Sequence, residues 1–305
     1  MSINFGIIVN PRKIQVKDPL DRLDHWIRTS KPKADFLLCT HDSPYTKNTY
    51  EAFRQTSEDE LLNNSDVILT LGGDGSILKS AQSIGNRQIP IMGVNLGGLG
   101  FLADTPIEKF IDHVESVIAG EYRIEKRALI TCIVNGGEFK FVAFNDLVID
   151  KAGFSRVIEI NTKIDGILLN SYIADALILS TPTGSTGYSL SAGGPIVIPQ
   201  TDVFIINPIC PHSLTNRPVV IPSDSKVTIK VATEFKEVNL FRDGQLVASL
   251  PSGSEFEFFK ADYTVNLVKM KEREFFETLR NKLNWGDDFR DKNRWSYEDS
   301  NGETK

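Results

Sequence analysis

The chain has 305 residues, 41% of them apolar and 24% charged, with 34 basic against 40 acidic side chains and a net charge of −6. That length suits two domains, since single cores stop growing near ~250–300 residues, and no window approaches the ~20 consecutive apolar residues of a membrane span. The mildly acidic total argues against a nucleic-acid binder, and Cys39, Cys132 and Cys210 are too scattered for a disulfide framework or a zinc site. Met1–Asn10 has no basic stretch ahead of a long apolar one, so a cytoplasmic chain is expected. Any anionic ligand must then be held by local groups, because the overall field does not attract it.

The first third alternates short apolar runs with helical patterns. Ile3–Val9, Phe36–Leu38, Asp66–Leu71 and Ile89–Val94 read as strands. Between and after them, Pro19–Ser30 (with Leu23, Trp26 and Ile27 on one face), Ser76–Ile84 and Pro106–Ala119 read as helices. Pro106 suits a first helical turn and Gly120 a helix stop. This alternation predicts a Rossmann-like α/β domain with a parallel sheet over residues 1–120.

From residue 121 to 270 the texture changes to strands separated by turn residues. Leu129–Val134, Phe139–Val148, Val157–Ile160, Ile173–Leu179, Val227–Val231, Val238–Phe241 and Val247–Leu250 fit this pattern, with a further short apolar strand at Ile196–Ile198. Asn135-Gly136-Gly137 and Asp165-Gly166 are hairpin signals. A β-rich, sandwich-like second domain is expected. In residues 271–305, Phe275, Leu279 and Leu283 recur at i, i+4, i+8 and predict an amphipathic helix over Lys271–Leu283 that packs back on the first domain. Beyond Trp285 the chain is charged and nearly free of aliphatics, which predicts a mobile tail.

Three segments concentrate possible chemistry. Gly72-Gly73-Asp74-Gly75-Ser76 follows a strand and opens a helix, where backbone N–H groups and the helix N-terminus favour a phosphate. It is neither a Walker loop nor GxGxxG, and Asp74 would repel phosphate unless it holds a metal ion or takes a proton from an attacking hydroxyl. A plain turn with Asp74 capping the helix is an equal reading of the turn alone. Lys79, one turn into the helix, could reach back toward an anion. The stretch from Thr181 to Pro195 (TPTGSTGYSLSAGGP) packs hydroxyls and glycines between apolar runs, which suits a sugar, amide or phosphate. Asn145-Asp146 interrupts an apolar strand pattern and must be paired, bulged or part of a site. Asn95–Phe101 is a second glycine-rich turn, and Asp243-Gly244-Gln245 by itself reads as a hairpin turn. The four histidines are isolated and assemble neither a zinc set nor a Ser/His/Asp triad.

Taken together, in this order and at these separations, the glycine turn, Asn145-Asp146 and Thr181–Gly194 resemble the NAD kinases, over about Ile3–Met270. The turn alone is shared with diacylglycerol-type lipid kinases; the hydroxyl-rich stretch is far more specific. The resemblance implies phosphorylation of the adenosine-ribose 2′-hydroxyl of NAD by ATP or polyphosphate, giving NADP. It implies Asp74 as the catalytic acid/base residue and Gly72, Gly73, Gly75 and Ser76 as phosphate contacts. As NAD contacts it implies Asp74, Gly75, Lys79, Asn145, Asp146, Arg156, Asp175, Thr186, Gly187, Tyr188, Ser189, Leu190, Ser191 and Gln245. It further implies Mg²⁺ or Mn²⁺ bridged by substrate phosphates, with no protein ligand assigned to the metal, and a homodimer or homotetramer with neither nucleic acid nor membrane as partner. A lipid kinase would carry an apolar membrane-facing surface, to which the polar Thr181–Ser191 stretch is ill suited, and a non-catalytic dinucleotide sensor would not need Asp74.

Overall fold

A computed structural model describes residues 2–9, 14–39, 50–98, 100–153, 157–234, 237–270 and 275–285. Arg156, the start of the predicted C-terminal helix at 271–274 and the predicted tail beyond 285 lie outside the described residues. The alternating first third builds an eight-stranded sheet in the order Arg54–Thr56, Ala34–Cys39, Ile3–Val9, Val67–Gly72, Ile91–Asn95, Val265–Lys269, Arg123–Arg127, with the short Thr105–Pro106 strand beside Ile91–Asn95. Its first five strands run parallel, in register such as Ile7 opposite Leu69 and Ile68 opposite Ile91. Val67–Gly72 and Ile91–Asn95 are buried along their whole length, as continuous apolar runs in a covered parallel sheet should be.

Helices α1 (Lys17–Ser30), α2 (Glu58–Asn64), α3 (Asp74–Ile84) and α4 (Phe110–Ala119) supply that cover. Leu20 and Leu23 of α1 pack with Phe110 and Val114 of α4 on one face. Leu61 of α2 packs with Ile77 and Ala81 of α3 on the other. Each large side chain fully buried here, such as Phe5, Ile7 or Phe110, contributes about 1.5–3 kcal/mol of hydrophobic stabilisation. Gly120 stops α4 with φ 77°. Pro106 does not open that helix: its ψ of 145° places it in the short strand opposite Asn95, and α4 begins four residues later.

Two strands from beyond residue 120 complete this sheet. Val265–Lys269 adds parallel to Ile91–Asn95, and Arg123–Arg127 pairs antiparallel at the edge. Neither is evident in the sequence, because Arg-Ile-Glu-Lys-Arg has almost no apolar alternation; an edge strand tolerates such charge.

The β-rich part is two six-stranded antiparallel sheets. One runs Val219–Pro222, Val203–Ile209, Ala176–Ser180, Asp146–Lys151, Glu237–Arg242, Gln245–Pro251; the other runs Ile167–Ala174, Ile158–Ile164, Val227–Ala232, Glu255–Lys260, Ile130–Val134, Phe139–Ala143. Their inner faces share one core that includes Leu147, Leu177 and Phe204 from the first sheet and Ile160, Ile229 and Phe256 from the second. Two predicted strands are each split between the sheets. Phe139–Val148 breaks at Phe144-Asn145, and Ile173–Leu179 breaks at Asp175. A sandwich strand that changes sheet stays apolar throughout, so hydropathy alone hides the corner. Ile196–Ile198 forms no strand. The stretch after Ser180 instead coils into a 3₁₀ turn (Gly184–Thr186) and the one-turn helix α5 (Tyr188–Ser191). Helix α6 (Phe275–Leu283) packs back on the first sheet's end, its Phe275 ring 6.1 Å from that of Phe101.

Candidate active site

Asp74 is the first residue of α3, at the carboxyl end of the buried strand Val67–Gly72, after the extended Gly73. The neighbouring glycine-rich turn wraps its carboxylate. Oδ2 accepts the N–H of Phe101 at 2.9 Å, and Oδ1 accepts those of Leu102 and Ala103 at 3.0 and 3.1 Å. The wrap is close enough to require glycine at position 100, where a Cβ would lie 2.2 Å from Asp74 Oδ1. The two glycine turns therefore form one device, in which the second fixes the carboxylate of the first. A cation from α6 adds an ion pair: Lys282 Nζ lies 3.5 Å from Asp74 Oδ2 and 4.5 Å from the Phe101 ring centroid.

Asn145 and Asp146 stand at the corner where the chain changes sheets. Such a corner interrupts ladder pairing, and its N–H groups need other acceptors. Asp243 supplies them. Its Oδ1 accepts from Asn145 N–H (2.7 Å) and Asp146 N–H (3.2 Å), and its Oδ2 accepts from Phe144 N–H (3.1 Å) and Gln82 Nε2 of α3 (3.3 Å). Asp243 can do so because the Asp243-Gly244 turn, with φ of 48° and 77°, points back at the corner. Gln82 also accepts from Arg242 Nη2 (3.3 Å), so α3 and the β sandwich are tied together about two turns along the helix from Asp74.

A cavity of about 400 Å³ opens on this corner, lined by Asn145, Asp146, Asp150, Tyr188, Phe241 and Asp243. Its charged lining residues are all acidic. Burial, reinforced by the Asp243 charge, raises the Asp146 pKa to about 7. Asn145 Oδ1 is a buried acceptor without a hydrogen-bond partner. These features suit hydroxyl and amide donors, or a cationic ring, and repel phosphate.

The hydroxyl-rich stretch plays two roles. Some of its side chains build the loop: Thr181 Oγ1 donates to Phe144 O (2.7 Å), Ser185 Oγ donates to Pro182 O (2.6 Å), and the buried Ser189 is held by Asn207 Nδ2. Gly184 packs so tightly on the corner that a Cβ would sit 2.2 Å from the Asn145 carbonyl oxygen. Others face outward. Thr186, Gly187 and Leu190 are half-buried, while Tyr188 and Ser191 are exposed. A Cβ on Gly187 would lie 3.6 Å from Asn145 Nδ2, so this loop and Asn145-Asp146 share one wall.

The remaining expected residues lie on the elements around these parts. Asp175 pairs with Lys151 at 2.5 Å and contributes to the negative surroundings of Tyr188, whose pKa is raised by burial and then by nearby carboxylates. Gly75 and Lys79 are exposed on α3, Ser76 is half-buried there, and Gln245 is exposed past the Asp243 turn. Asp243 and Lys282 escaped the sequence reading. The Asp-Gly dipeptide signalled only its turn; Lys282 follows Phe275 and Leu279 at i, i+4, i+7, a spacing that put it on the docked face.

Comparison with known proteins accounts for these parts as a set. Residues 5–122 match the ATP-NAD kinase N-terminal domain and residues 144–270 the ATP-NAD kinase C-terminal domain. The chain is 40% identical over 288 residues to the NAD kinase of Geotalea daltonii, covering 93% of this chain and 98% of that protein. It is 45% identical over 226 residues to the NAD kinase of Geobacter sulfurreducens, covering 73% and 80%. Among solved structures, yeast NADH kinase complexed with NADH superposes with a TM-score of 0.84 at 26% identity, covering 94% of this chain and 89% of that one. An NAD kinase from Archaeoglobus fulgidus in complex with ATP superposes with a TM-score of 0.72 at 25% identity, covering 92% and 99%. The chain belongs to the NAD kinase family of phosphotransferases.

Proposed function

We propose that this chain transfers the γ-phosphoryl group of ATP to the 2′-hydroxyl of the adenosine ribose of NAD, giving NADP, with Asp74 receiving the hydroxyl proton. The observation that carries this is the Asp74 carboxylate, clamped by three backbone N–H groups at a strand's carboxyl end; an acidic, hydroxyl-accepting cavity at the Asn145-Asp146 corner accompanies it. Because the transition state for phosphoryl transfer is loose, orienting the hydroxyl matters as much as basicity, and a clamped carboxylate does both. Asn145, Asp146 and the Thr186–Ser191 wall would hold the nucleoside portions of NAD. Gly72, Gly73, Gly75 and Ser76, at the start of α3, would face the phosphates.

Among the described residues no cluster of three or more His, Cys, Asp or Glu side chains could hold a metal ion. Mg²⁺ or Mn²⁺ brought in with the substrate phosphates would supply charge neutralisation there, and Asp74 is the carboxylate that would lie nearest the transferred group. Residues 1–120 and 121–270 would act as nucleotide-binding and NAD-binding halves, although the first sheet draws strands from both. The family likeness supports a homodimer or homotetramer and a cytoplasmic location; among the described residues no helix is long and apolar enough to cross a membrane.

Asp74→Asn tests the assignment. The amide gives up the Phe101 N–H bond when its oxygen stays on Leu102 and Ala103, but the Asn145-Asp146 corner is untouched, so calorimetric NAD affinity should persist while NADP formation from NAD, ATP and Mg²⁺ is lost; a wild-type kcat in this variant would sink the proposal.

A further inference from the structure

Helix α6 lies beyond residue 270, where the match to the C-terminal family domain ends. It is nonetheless fastened to the reaction centre. Leu279 is buried, Phe275 packs on Phe101, and Lys282 spans from the Phe101 ring to Asp74 Oδ2. Phe101 thus holds both members of the pair: its N–H binds the same Oδ2 at 2.9 Å and its ring face carries the ammonium. The other buried cations nearby are committed elsewhere, Arg127 to Glu125 and Lys269 to Asp104. Lys282 is partnered by the reacting carboxylate itself, at 3.5 Å, looser than a good charge-assisted hydrogen bond. About a third of its side-chain surface remains exposed, and its four-carbon stem lets the ammonium shift to a nearby anion.

We propose that Lys282 is a catalytic cation that pairs with the phosphoryl group in transit, resting on Asp74 when the nucleotides are absent. The inference rests on Asp74 being the reacting carboxylate. In the transfer, a bond forms between the ribose O2′ and the γ-phosphorus as the bond from that phosphorus to the β,γ-bridging oxygen breaks. The bridging electron pair leaves with ADP, and the 2′-hydroxyl proton passes to Asp74. Charge spreads over the equatorial phosphoryl oxygens, next to a carboxylate, where a preplaced ammonium has the most effect.

The experiment compares Lys282→Gln, Lys282→Arg and Asp74→Asn in the full chain, measuring NADP formation from NAD, ATP and Mg²⁺, KM for NAD and thermal midpoint. For Lys282→Gln we expect kcat to fall about 10²–10³-fold with KM for NAD and the midpoint unchanged, the loss typical of a missing transition-state donor. Lys282→Arg should recover most of the rate, which a helix-packing role would not require. An active Asp74→Asn overturns the reading underneath. An inactive Asp74→Asn beside a Lys282→Gln whose kcat stays within about threefold of wild type, or rises, overturns the role of Lys282 alone.

Discussion

Replacing Asp243 by Asn should damage a site whose reacting groups it never touches. The carboxylate accepts four donors: Asn145 and Asp146 N–H on Oδ1, and Phe144 N–H and Gln82 Nε2 on Oδ2. An amide of the same shape keeps one oxygen and turns an NH₂ toward the other pair. With the oxygen facing Asn145 and Asp146, the NH₂ meets Phe144 N–H and Gln82. Rotating the Gln82 amide would relieve the second clash only by giving up its bond from Arg242. One or two part-buried donors are left unpaired at about 1–3 kcal/mol each, so the loss is about 2–4 kcal/mol. At about 2–4 °C per kcal/mol the thermal midpoint should drop by about 4–16 °C. Because the corner that loosens carries Asn145 and Asp146, NAD affinity measured by calorimetry should weaken by about tenfold or more, equivalent to at least 1.4 kcal/mol. An Asp243→Asn variant with unchanged midpoint and NAD affinity would refute the claim that this turn holds the corner.

Gly100→Ala should force the Asp74 carboxylate off the Leu102 and Ala103 N–H groups, since the new methyl would start 2.2 Å from Oδ1. Steady-state assays should show kcat falling by about 100-fold, as for a ~1 Å misplacement, with calorimetric NAD affinity retained. Gly184→Ala would press on the Asn145 carbonyl from 2.2 Å, and overpacking of this kind should destabilise by about 1–3 kcal/mol in chemical denaturation. The pKa of Asp146 is raised to about 7 in the fold. The native chain therefore binds more protons than the unfolded one between about pH 4 and 7, and this group's contribution to stability declines as pH rises through that window. Hydroxyl donors favour its ionised form, so NAD binding should strengthen as pH rises through about 7 and release a proton, detectable by calorimetry in buffers of different ionisation enthalpy.

The sequence was most legible where one residue type serves one local purpose. Continuous apolar runs marked the parallel strands, and Gly72–Ser76 was legible as the turn between a strand end and a helix, although α3 begins at Asp74, two residues before the expected Ser76. What it hid are relations between distant segments. Val265–Lys269 joins a sheet begun over 250 residues earlier, and no local pattern records that pairing. Phe139–Val148 reads as one apolar stretch because both sandwich sheets bury apolar residues from it, so the corner at Asn145 showed only as two unexplained polar residues. Asp243 was visible as a turn former, but its four hydrogen bonds are made across some 100 to 160 positions of chain. Ser189 is likewise tied to a distant residue, since Asn207 Nδ2 donates to its carbonyl and hydroxyl oxygens, and the motif alone does not record that bond.

The net charge of −6 no longer looks like an obstacle to phosphate chemistry once its distribution is considered. Asp146, Asp150 and Asp243 line the cavity at the corner, whereas the Asp74 end carries three clamping N–H groups, the start of α3 and Lys282. A phosphate oxygen held ~5 Å from one cavity carboxylate would be disfavoured by about 3 kcal/mol at an effective dielectric near 20. A triphosphate is therefore driven out of the cavity by more than about a hundredfold for each such pair, while uncharged ribose hydroxyls and a cationic nicotinamide are accepted. In the proposed reaction the two substrates differ in charge density, and this asymmetry keeps the triphosphate out of the acidic cavity before any specific contact forms. The acidic composition becomes part of how the chain tells its phosphoryl acceptor from its phosphoryl donor.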